Sequence, residues 1–373
     1  MKRKKIISIF GARPDTVKMA PLIHEISKHG EFENIVCATA QHREMLDQML
    51  KVFNITPTYD LNIMQPRQTL SMIADKILVG LDEVLIKEKP DLVLVHGDTS
   101  TCFISALTAF YRQIPIGHVE AGLRSGDIYS PFPEEAHRLL TGTIATLHFA
   151  PTKSNAENLY KAGITKNVYI TGNTAIDALL SLVKENYDFK AESLKNIDIT
   201  AKRTIVMTAH RREHLGKPME NIFAAVKKLA LNYSDKIQII YPVHKNPVVM
   251  ECAEKILGGI DNIYLIDPID VEDMHNLMNK SYFVMTDSGG LQEEAPALGK
   301  PLLVFRTETE RPEAVEAGTV KIVGVETDNI YNEAVELIEN ESAYLKMANA
   351  VNPYGDGKAS ERIVAAIKEY FEM

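Results

Sequence analysis

The chain has 373 residues, 45% hydrophobic and 24% charged, a balance typical of a globular protein with two domains of ordinary size. A net charge of -9 argues against nucleic acid as a main partner, because neutralising phosphates needs clustered Lys and Arg. No apolar stretch approaches the ~20 residues of a membrane-spanning helix, so we predict a cytoplasmic protein with no membrane partner.

Short β-branched runs alternate with longer helical patterns along the chain. The helical patterns include Leu70–Lys89 and Thr99–Tyr111, whose apolar residues recur every three or four positions. The predicted strands, in chain order, are Ile6–Phe10, Asn34–Ala38, Leu92–Val95, Ile116–Val119, Val168–Ile170, Ile205–Thr208, Ile237–Tyr241, Ile263–Ile266, Tyr282–Met285 and Leu302–Phe305. Such alternation indicates parallel sheets covered by helices on both faces. Because these strands are too many for one small sheet, we predict an α/β protein of two doubly wound, Rossmann-like domains.

The domain boundary is predicted near Thr171–Ala178, just before a polar stretch without clear periodicity. The N-terminal domain then covers residues 1–172 and the C-terminal domain residues 173–358. The last residues, 359–373, follow the turn-rich sequence NPYGDG and predict a helix that crosses back onto the first domain.

Charged residues follow the predicted strands of the first domain, at the edge where open α/β sheets bind ligands. Arg13 and Lys18 flank the start of the first helix, although most such residues are merely solvated charges. Asp98 and Glu120 each follow a strand, and we expect those strands to be interior neighbours. Two converging carboxylates would raise the pKa of one of them and form an acid/base pair.

A second charged group, Glu134, Glu135 and Arg138, begins the helix after the sequence PFP. Acidic residues at a helix start often serve only to stabilise the helix end, and for Glu135 we favour that interpretation.

The sequence TDSGGLQEE is the most specific single element of the second half. Ser288, Gly289 and Gly290 follow a strand and begin a helix, so their N–H groups suit a phosphate, and Glu294 suits a ribose diol. The alternative is a plain strand–turn–helix corner in which glycine supplies backbone freedom. His210 precedes two arginines, and a catalytic and a structural role both remain open for it.

Common cofactor motifs are absent from the sequence. No GxGxxG follows a strand and no GxxxxGK[ST] occurs, which argues against bound NAD and a P-loop. The cysteines Cys37, Cys102 and Cys252 lack metal-binding spacing and are predicted to be buried thiols. We therefore predict no cofactor and no metal.

Eight segments, in order and across nearly the whole chain, resemble the non-hydrolysing UDP-N-acetylglucosamine 2-epimerases. They are GARPDTVKMAPL, HGDTS, HVEAGLRSGD, PFPEEAHR, TAHRRE, TDSGGLQEEAPALGKP, TERPEAVEAGT and NPYGDGKAS. The resemblance implies a GT-B-like fold, with the two domains facing a cleft, in a homodimer. It also implies reversible conversion of UDP-N-acetylglucosamine to UDP-N-acetylmannosamine through 2-acetamidoglucal and UDP, for a cell-surface polysaccharide or wall polymer.

The resemblance also implies roles for individual residues. The catalytic candidates are Asp98, Glu120, Glu134 and His210. The substrate-binding candidates are Arg13, Lys18, Arg138, Ile269, Met274, Ser288, Gly289, Gly290, Glu294 and Arg311. Met274 stands where relatives carry an aromatic residue beside uracil, and His137 and Thr307 also depart from the family pattern.

UDP-N-acetylglucosamine is further implied as an activator at a second site, although ordinary surface polarity would explain the same residues. The matching positions are Gln41, Arg43, Arg67, Arg212 and His244.

Three other functions fit parts of the pattern. A hydrolysing epimerase would release N-acetylmannosamine and UDP, and sequence alone separates it poorly from the non-hydrolysing type. A GT-B glycosyltransferase would need an acceptor groove, of which we find no sign. A UDP-sugar sensor would not need three carboxylates together, so we rank it last.

Overall fold

The computed structural model describes residues 3–309 and 311–373. The strands are β1 (Lys4–Phe10), β2 (Phe32–Ala38), β3 (Tyr59–Asp60), β4 (Leu92–His96), β5 (Ile116–Val119), β6 (Leu147–Ala150), β7 (Val168–Ile170), β8 (Arg203–Thr208), β9 (Ile237–Pro242), β10 (Ile263–Ile266), β11 (Phe283–Thr286), β12 (Leu302–Val304) and β13 (Val320–Ile322). The helices are α1 (Arg13–Ser27), α2 (Arg43–Val52), α3 (Leu70–Glu88), α4 (Ser100–Tyr111), α5 (Glu134–Ile144), α6 (Lys153–Lys161), α7 (Thr174–Leu182), α8 (Glu192–Lys195), α9 (Lys217–Asn232), α10 (Pro247–Leu257), α11 (Val271–Lys280), α12 (Leu291–Ala297), α13 (Pro312–Glu316), α14 (Thr327–Glu339), α15 (Glu341–Ala348) and α16 (Ala359–Tyr370). A 3₁₀ turn covers Arg212–His214.

In this described part of the chain the strands form two parallel sheets with equivalent topology. The first has seven strands in the order β3-β2-β1-β4-β5-β6-β7, and the second has six in the order β10-β9-β8-β11-β12-β13. Both follow the strand order of a doubly wound fold, reversing direction between β1 and β4 and between β8 and β11. The predicted α/β class with two Rossmann-like sheets is therefore confirmed.

Burial on both faces of the central strands explains why their sequences are apolar throughout. All five residues of β4, LVLVH, are buried. Val93 and Val95 share a hydrophobic core with Ile7 and Ile9 of β1 and with Leu81 of α3. A central strand covered by helices on both sides needs this continuous apolar run rather than an alternating one.

Each predicted strand is present, and three further strands escaped prediction: β3, β6 and β13. β3 has only two residues, and β13 only three at the edge of its sheet. β6 has the sequence LHFA, which lacks β-branched residues, yet all four residues are buried between β5 and β7. Tertiary context rather than local propensity decides these strands.

The chain divides into two compact units, residues 1–181 with 354–373, and residues 182–353. Most of α7 therefore lies with the first unit, whereas the sequence-based boundary placed it in the second. The Asp177 carboxylate accepts hydrogen bonds from the backbone N–H groups of Ala359 (3.1 Å) and Ser360 (2.7 Å), which ties α7 to the start of α16. α16 in turn packs against α1.

Within residues 3–309 and 311–373, none of the helices combines the length and the apolar character that crossing a bilayer would require.

Candidate functional site

The loop after β1 is held rigidly by a buried carboxylate. Asp15 Oδ2 accepts a hydrogen bond from Gly11 N (3.0 Å), and Asp15 Oδ1 accepts one from Ala12 N (2.8 Å). A Cβ on Gly11 would lie 1.9 Å from Thr39 Oγ1, so only glycine fits this close approach. Burial raises the pKa of Asp15, although these backbone N–H groups oppose the shift. The loop thus fixes the start of α1, which carries the exposed Arg13.

Glu120 follows β5 directly and forms an ion pair with Lys18 of α1. Its backbone φ of +63° lies in the left-handed region, which a non-glycine residue adopts only when its surroundings enforce it. The Glu120 side chain is 9% exposed, and its Oε2 lies 3.7 Å from His96 Nε2. Burial tends to raise the pKa of Glu120, but the Lys18 ammonium and His96 outweigh burial and hold that pKa well below its usual range. Glu120 is therefore ionised at neutral pH.

Asp98 lies two residues beyond β4, and its carboxylate is held by Arg138 of α5. Arg138 Nε and Nη2 donate to Asp98 Oδ2 at 2.9 and 2.6 Å. β4 and β5 are interior neighbours, with His96 beside Val119, so the predicted adjacency is confirmed. The expectation that mutual repulsion raises a carboxylate pKa is wrong for Glu120, because Lys18 supplies it with a cation of its own.

The acidic residues at the start of α5 differ sharply in environment. The Glu135 side chain is 2% exposed; its carboxylate accepts hydrogen bonds from Ser125 N (3.0 Å) and from Arg138 Nη1 (3.0 Å). Interpreting Glu135 as a helix-end residue is therefore wrong, since it anchors the preceding loop. Glu134 is half-buried, and its side chain makes no hydrogen bond or ion pair with the rest of the described chain.

In the second unit, β8 and β11 end side by side at the point where the sheet order reverses. Asp287 follows β11 and is completely buried. Its Oδ2 accepts hydrogen bonds from the backbone N–H groups of His210 (2.7 Å) and Arg211 (2.8 Å). The Asp287 Oδ1 lies 3.2 Å from His210 Nδ1. The loop that carries His210 is therefore tied to the β11 end.

The DSGG turn leaves room above the start of α12. Gly290 is the N-cap residue, with φ -62° and ψ -41°, an ordinary helical conformation open to any residue. Among the described residues, a Cβ on Gly290 would meet only Glu294 Oε1, at 3.9 Å. Backbone freedom therefore does not explain this glycine, whereas open space for a ligand would. Ser288 N donates to Thr286 Oγ1 at 2.9 Å, and Gly289 lies between Ser288 and Gly290.

The remaining substrate-binding candidates in the second unit lie on or near three helices. Glu294 Oε2 of α12 lies 3.4 Å from the buried His275 Nε2 of α11. Arg311, the N-cap residue of α13, donates from Nε to Glu293 Oε1 at 2.7 Å. Ile269 and Met274 are both half-buried, one in the loop before α11 and the other in its first turns.

The candidates for a second site divide between the two units. Gln41 Oε1 accepts a hydrogen bond from Thr101 Oγ1 (3.0 Å), Arg43 forms ion pairs with Asp47 and Asp60, and Arg67 is exposed with φ +57°. Arg212 and His244 are exposed in the second unit. The ring of His244 stacks on that of His210, with centroids 5.4 Å apart. The structure thus brings one second-site candidate against a catalytic candidate.

Sequence reasoning missed three buried residues that organise these groups: Asp15, His96 and Asp287. Each lies within a motif that the sequence analysis singled out, GARPDTVK, HGDTS or TDSGG. What the sequence could not indicate is the direction in which each side chain points after its strand ends. Within residues 3–309 and 311–373, no three His, Cys, Asp or Glu side chains are grouped so as to hold a metal ion.

Comparison with known proteins finds relatives along the whole chain. The family model described as UDP-N-acetylglucosamine 2-epimerase matches residues 24–368. The UDP-N-acetylglucosamine 2-epimerase of Bacillus subtilis (strain 168) is 53% identical over 365 residues, which cover 98% of this chain and 95% of the relative.

Two solved structures agree with this finding. The S. aureus MnaA–UDP co-structure is 56% identical, with a TM-score of 0.81, and the match covers 99% of this chain and 97% of that one. The UDP-GlcNAc 2-epimerase from Neisseria meningitidis, solved bound to UDP-GlcNAc, is 47% identical with a TM-score of 0.81, covering 98% and 100%. The predicted GT-B-like fold is confirmed by this likeness.

Proposed function

Because this chain belongs to the UDP-N-acetylglucosamine 2-epimerase family, we propose that it inverts C2 of UDP-N-acetylglucosamine reversibly, by the non-hydrolysing route. The product is UDP-N-acetylmannosamine, for a cell-surface polysaccharide or wall polymer, and the reaction takes place in the cytoplasm.

The chemistry of C2 favours elimination. C2 carries an amide nitrogen and has no adjacent carbonyl, so its proton is not acidic enough for simple removal and return. In the elimination, a carboxylate takes the C2 proton while the C1–O bond breaks and its electron pair leaves with UDP. Re-addition of UDP to the resulting 2-acetamidoglucal, with a proton delivered to the opposite face, completes the inversion. Each proton-transfer group contributes ~10²–10⁴ in rate.

The observation that carries this proposal is the set of carboxylates at the strand ends of the first unit. Glu120 is ionised beside Lys18, the state that proton removal requires. Asp98 is held by Arg138, and the half-buried Glu134 supplies a third carboxylate. We assign the two proton transfers to the carboxylates of Asp98, Glu120 and Glu134, of which one removes the proton and another returns it, with Arg138 orienting Asp98.

We assign the nucleotide to the second unit. The turn of Ser288, Gly289 and Gly290 would bind the diphosphate through the N–H groups of the two glycines, because the Ser288 N–H donates to Thr286 Oγ1, and the open space over Gly290 supports this role. His210 would assist the departure of UDP. The other assignments, which follow from the family resemblance, are ribose to Glu294, uracil to the segment from Ile269 to Met274, and further substrate contacts to Arg13, Lys18 and Arg311. The relatives solved with UDP and with UDP-GlcNAc support the ligand class.

Isotope labelling tests the mechanism. Turnover in D₂O should place deuterium at C2, and bridging ¹⁸O between C1 and the phosphate should scramble into non-bridging positions, because UDP leaves and returns. NMR of the products measures both. If the bridging ¹⁸O stays in place through many turnovers, elimination is wrong. If N-acetylmannosamine accumulates with UDP instead, the enzyme is of the hydrolysing type.

We also propose a homodimer, supported by large apolar side chains exposed on α3 and α4. Val79 is 53% exposed, Ile86 50%, Phe110 51% and Tyr111 65%. Sedimentation of the full chain tests this directly, and a monomer at micromolar concentration would contradict it.

Activation by UDP-N-acetylglucosamine at Gln41, Arg43, Arg67, Arg212 and His244 is the regulatory part of the proposal. The reverse reaction from pure UDP-N-acetylmannosamine should then stall until a trace of the other epimer is added. A reverse rate that starts at full speed would contradict it.

A further inference from the structure

Asp287 joins two neighbouring strand ends through one of its carboxylate oxygens. Oδ2 accepts hydrogen bonds from His210 N (2.7 Å) and Arg211 N (2.8 Å), and from the ring Nδ1 of His214 (3.3 Å). These donors come from the loop after β8, while Asp287 follows β11. One oxygen therefore suffices to connect the two loops.

The other oxygen, Oδ1, serves no such structural purpose. It is buried, and no well-aligned donor from the described part of the chain reaches it. The ring Nδ1 of His210 lies 3.2 Å from it. Because a buried acceptor left without a donor is destabilising, a small rotation of the His210 ring that aligns its Nδ1–H is favoured.

The charges around His210 favour the same arrangement. Burial tends to raise the pKa of Asp287, but the hydrogen bonds from the His214 ring and from the backbone N–H groups of Arg211 and His210 hold it below its usual range. Asp287 is thus an anion at neutral pH. The His210 ring has this anion beside its Nδ1 and the ring of His244 stacked on it, and Arg211 Nε donates to the Asp287 carbonyl at 2.7 Å.

From this geometry we infer that Asp287 is a positioning residue, which holds His210 in the tautomer with its proton on Nδ1. The His210 side chain is 40% exposed, so its Nε2 is accessible while Nδ1 faces the buried carboxylate. A carboxylate paired with one ring nitrogen sets the tautomer and stabilises the protonated ring.

The consequence for catalysis rests on the proposed function. As the C1–O bond breaks, its electron pair goes to a β-phosphate oxygen of UDP, and protonated His210 donates a hydrogen bond from Nε2 to that oxygen. No net proton transfer is needed, because UDP leaves as an anion. With Asp287 neutralised, the ring would be free to turn, so departure of UDP should slow more than UDP binding weakens.

NMR of the full chain labelled with ¹⁵N-histidine tests the pairing without any assumption about activity. The chain has 11 histidines, and the His210→Gln variant identifies the signals of His210 by subtraction. The neutral ring of His210 should carry its proton on Nδ1, and Asp287→Asn should shift the tautomer toward Nε2–H. His214→Gln is the matched control, because it removes a donor to Oδ2 and leaves the Oδ1 pair intact.

Two results would overturn the inference. One is a neutral His210 ring that carries its proton on Nε2 in the unsubstituted protein, a measurement that holds even if Asp287→Asn fails to fold. The other is a His210 tautomer that Asp287→Asn leaves unchanged.

Kinetics then test the role in the reaction. Asp287→Asn should lower kcat roughly 10²-fold, the scale of one proton-handling group, while calorimetry shows UDP binding nearly unchanged. Equal losses in kcat and UDP binding would mean a structural role and overturn the positioning role. An unsubstituted chain without epimerase activity would refute the proposed function instead, and the NMR result would stand apart from it.

Discussion

The two sheets share one strand order, yet the residues that follow their strands are organised in opposite ways. In the first unit the carboxylates of Asp98 and Glu120 are partly buried, and each is paired with a cation, Arg138 or Lys18. In the second unit the carboxylate of Asp287 is completely buried, and it accepts hydrogen bonds from the loop that carries His210.

This difference shows that a doubly wound sheet places residues at the ends of its strands, whereas the residue types found there decide the chemistry. Paired, ionised carboxylates suit proton transfer at carbon, whereas an imidazole and open backbone N–H groups suit an anionic leaving group. The same scaffold thus serves two halves of one proposed reaction, and substitutions in the two units should fail in different ways.

The largest expected effect is on the carboxylates of the first unit. Asp98→Asn, Glu120→Gln and Glu134→Gln should each lower kcat by ~10²–10⁴, because each removes a proton-transfer group. UDP binding, measured by calorimetry, should change little. Glu33→Gln, on the exposed side chain that contacts Lys5, is a control. Full activity in all three variants would remove the acid/base assignment from the first unit.

The contrasting prediction concerns the second unit, where binding and turnover should separate. Gly290→Val should weaken UDP binding tenfold or more, an effect of ~1.4 kcal/mol, because its side chain enters the space over the diphosphate turn. His210→Asn should instead lower kcat more than it weakens binding. Gly30→Val, at a glycine whose Cβ would meet nothing within 4 Å, is the matched control. Strong UDP binding by Gly290→Val would contradict the diphosphate assignment.

The free energy of unfolding should depend much more on Gly11 in the first unit than on Gly290 in the second. Gly11→Ala should reduce the free energy of unfolding by ~1–3 kcal/mol, because its Cβ meets the Thr39 side chain in a packed interior. Gly290→Ala should change it by no more than ~0.5 kcal/mol, since its conformation is helical and its Cβ has room. Urea titrations of both variants measure the difference. Equal losses would mean that Gly290 is also a packing residue.

The smallest effect is the pH dependence of stability within the first unit. The pKa of Glu120 is held below its usual range, so its contribution is complete above the unfolded pKa of ~4.3 and is lost as the pH falls through the folded value. The pKa of Asp15 is raised, so its contribution has the opposite sign and improves on acidification.

Urea unfolding at several pH values measures both. Toward acid pH, the free energy of unfolding of the unsubstituted chain should fall relative to that of Glu120→Gln. Relative to that of Asp15→Asn, it should rise. If both stability differences changed with pH in the same direction, the opposite pKa shifts of Glu120 and Asp15 would be contradicted.

Much of the fold was predictable because buried parallel strands must be apolar along their whole length. The pattern of β4 is unmistakable for that reason, and so is the strand–helix alternation that implies two sheets. The strands that were missed, such as β6, form only because neighbours on both sides complete their hydrogen bonds and burial.

The sequence by itself determined which residues follow the strands, because chain order and strand polarity place them at one edge of each sheet. Only the tertiary structure decided what those residues do to one another. It brought Lys18 of α1 to Glu120, which follows β5, and so lowered the pKa of Glu120, which carboxylate proximity alone would have raised. It also turned Asp287 inward to His210. The pairing of charges and the tautomer of a histidine depend on side-chain direction and burial, and the tertiary structure sets both.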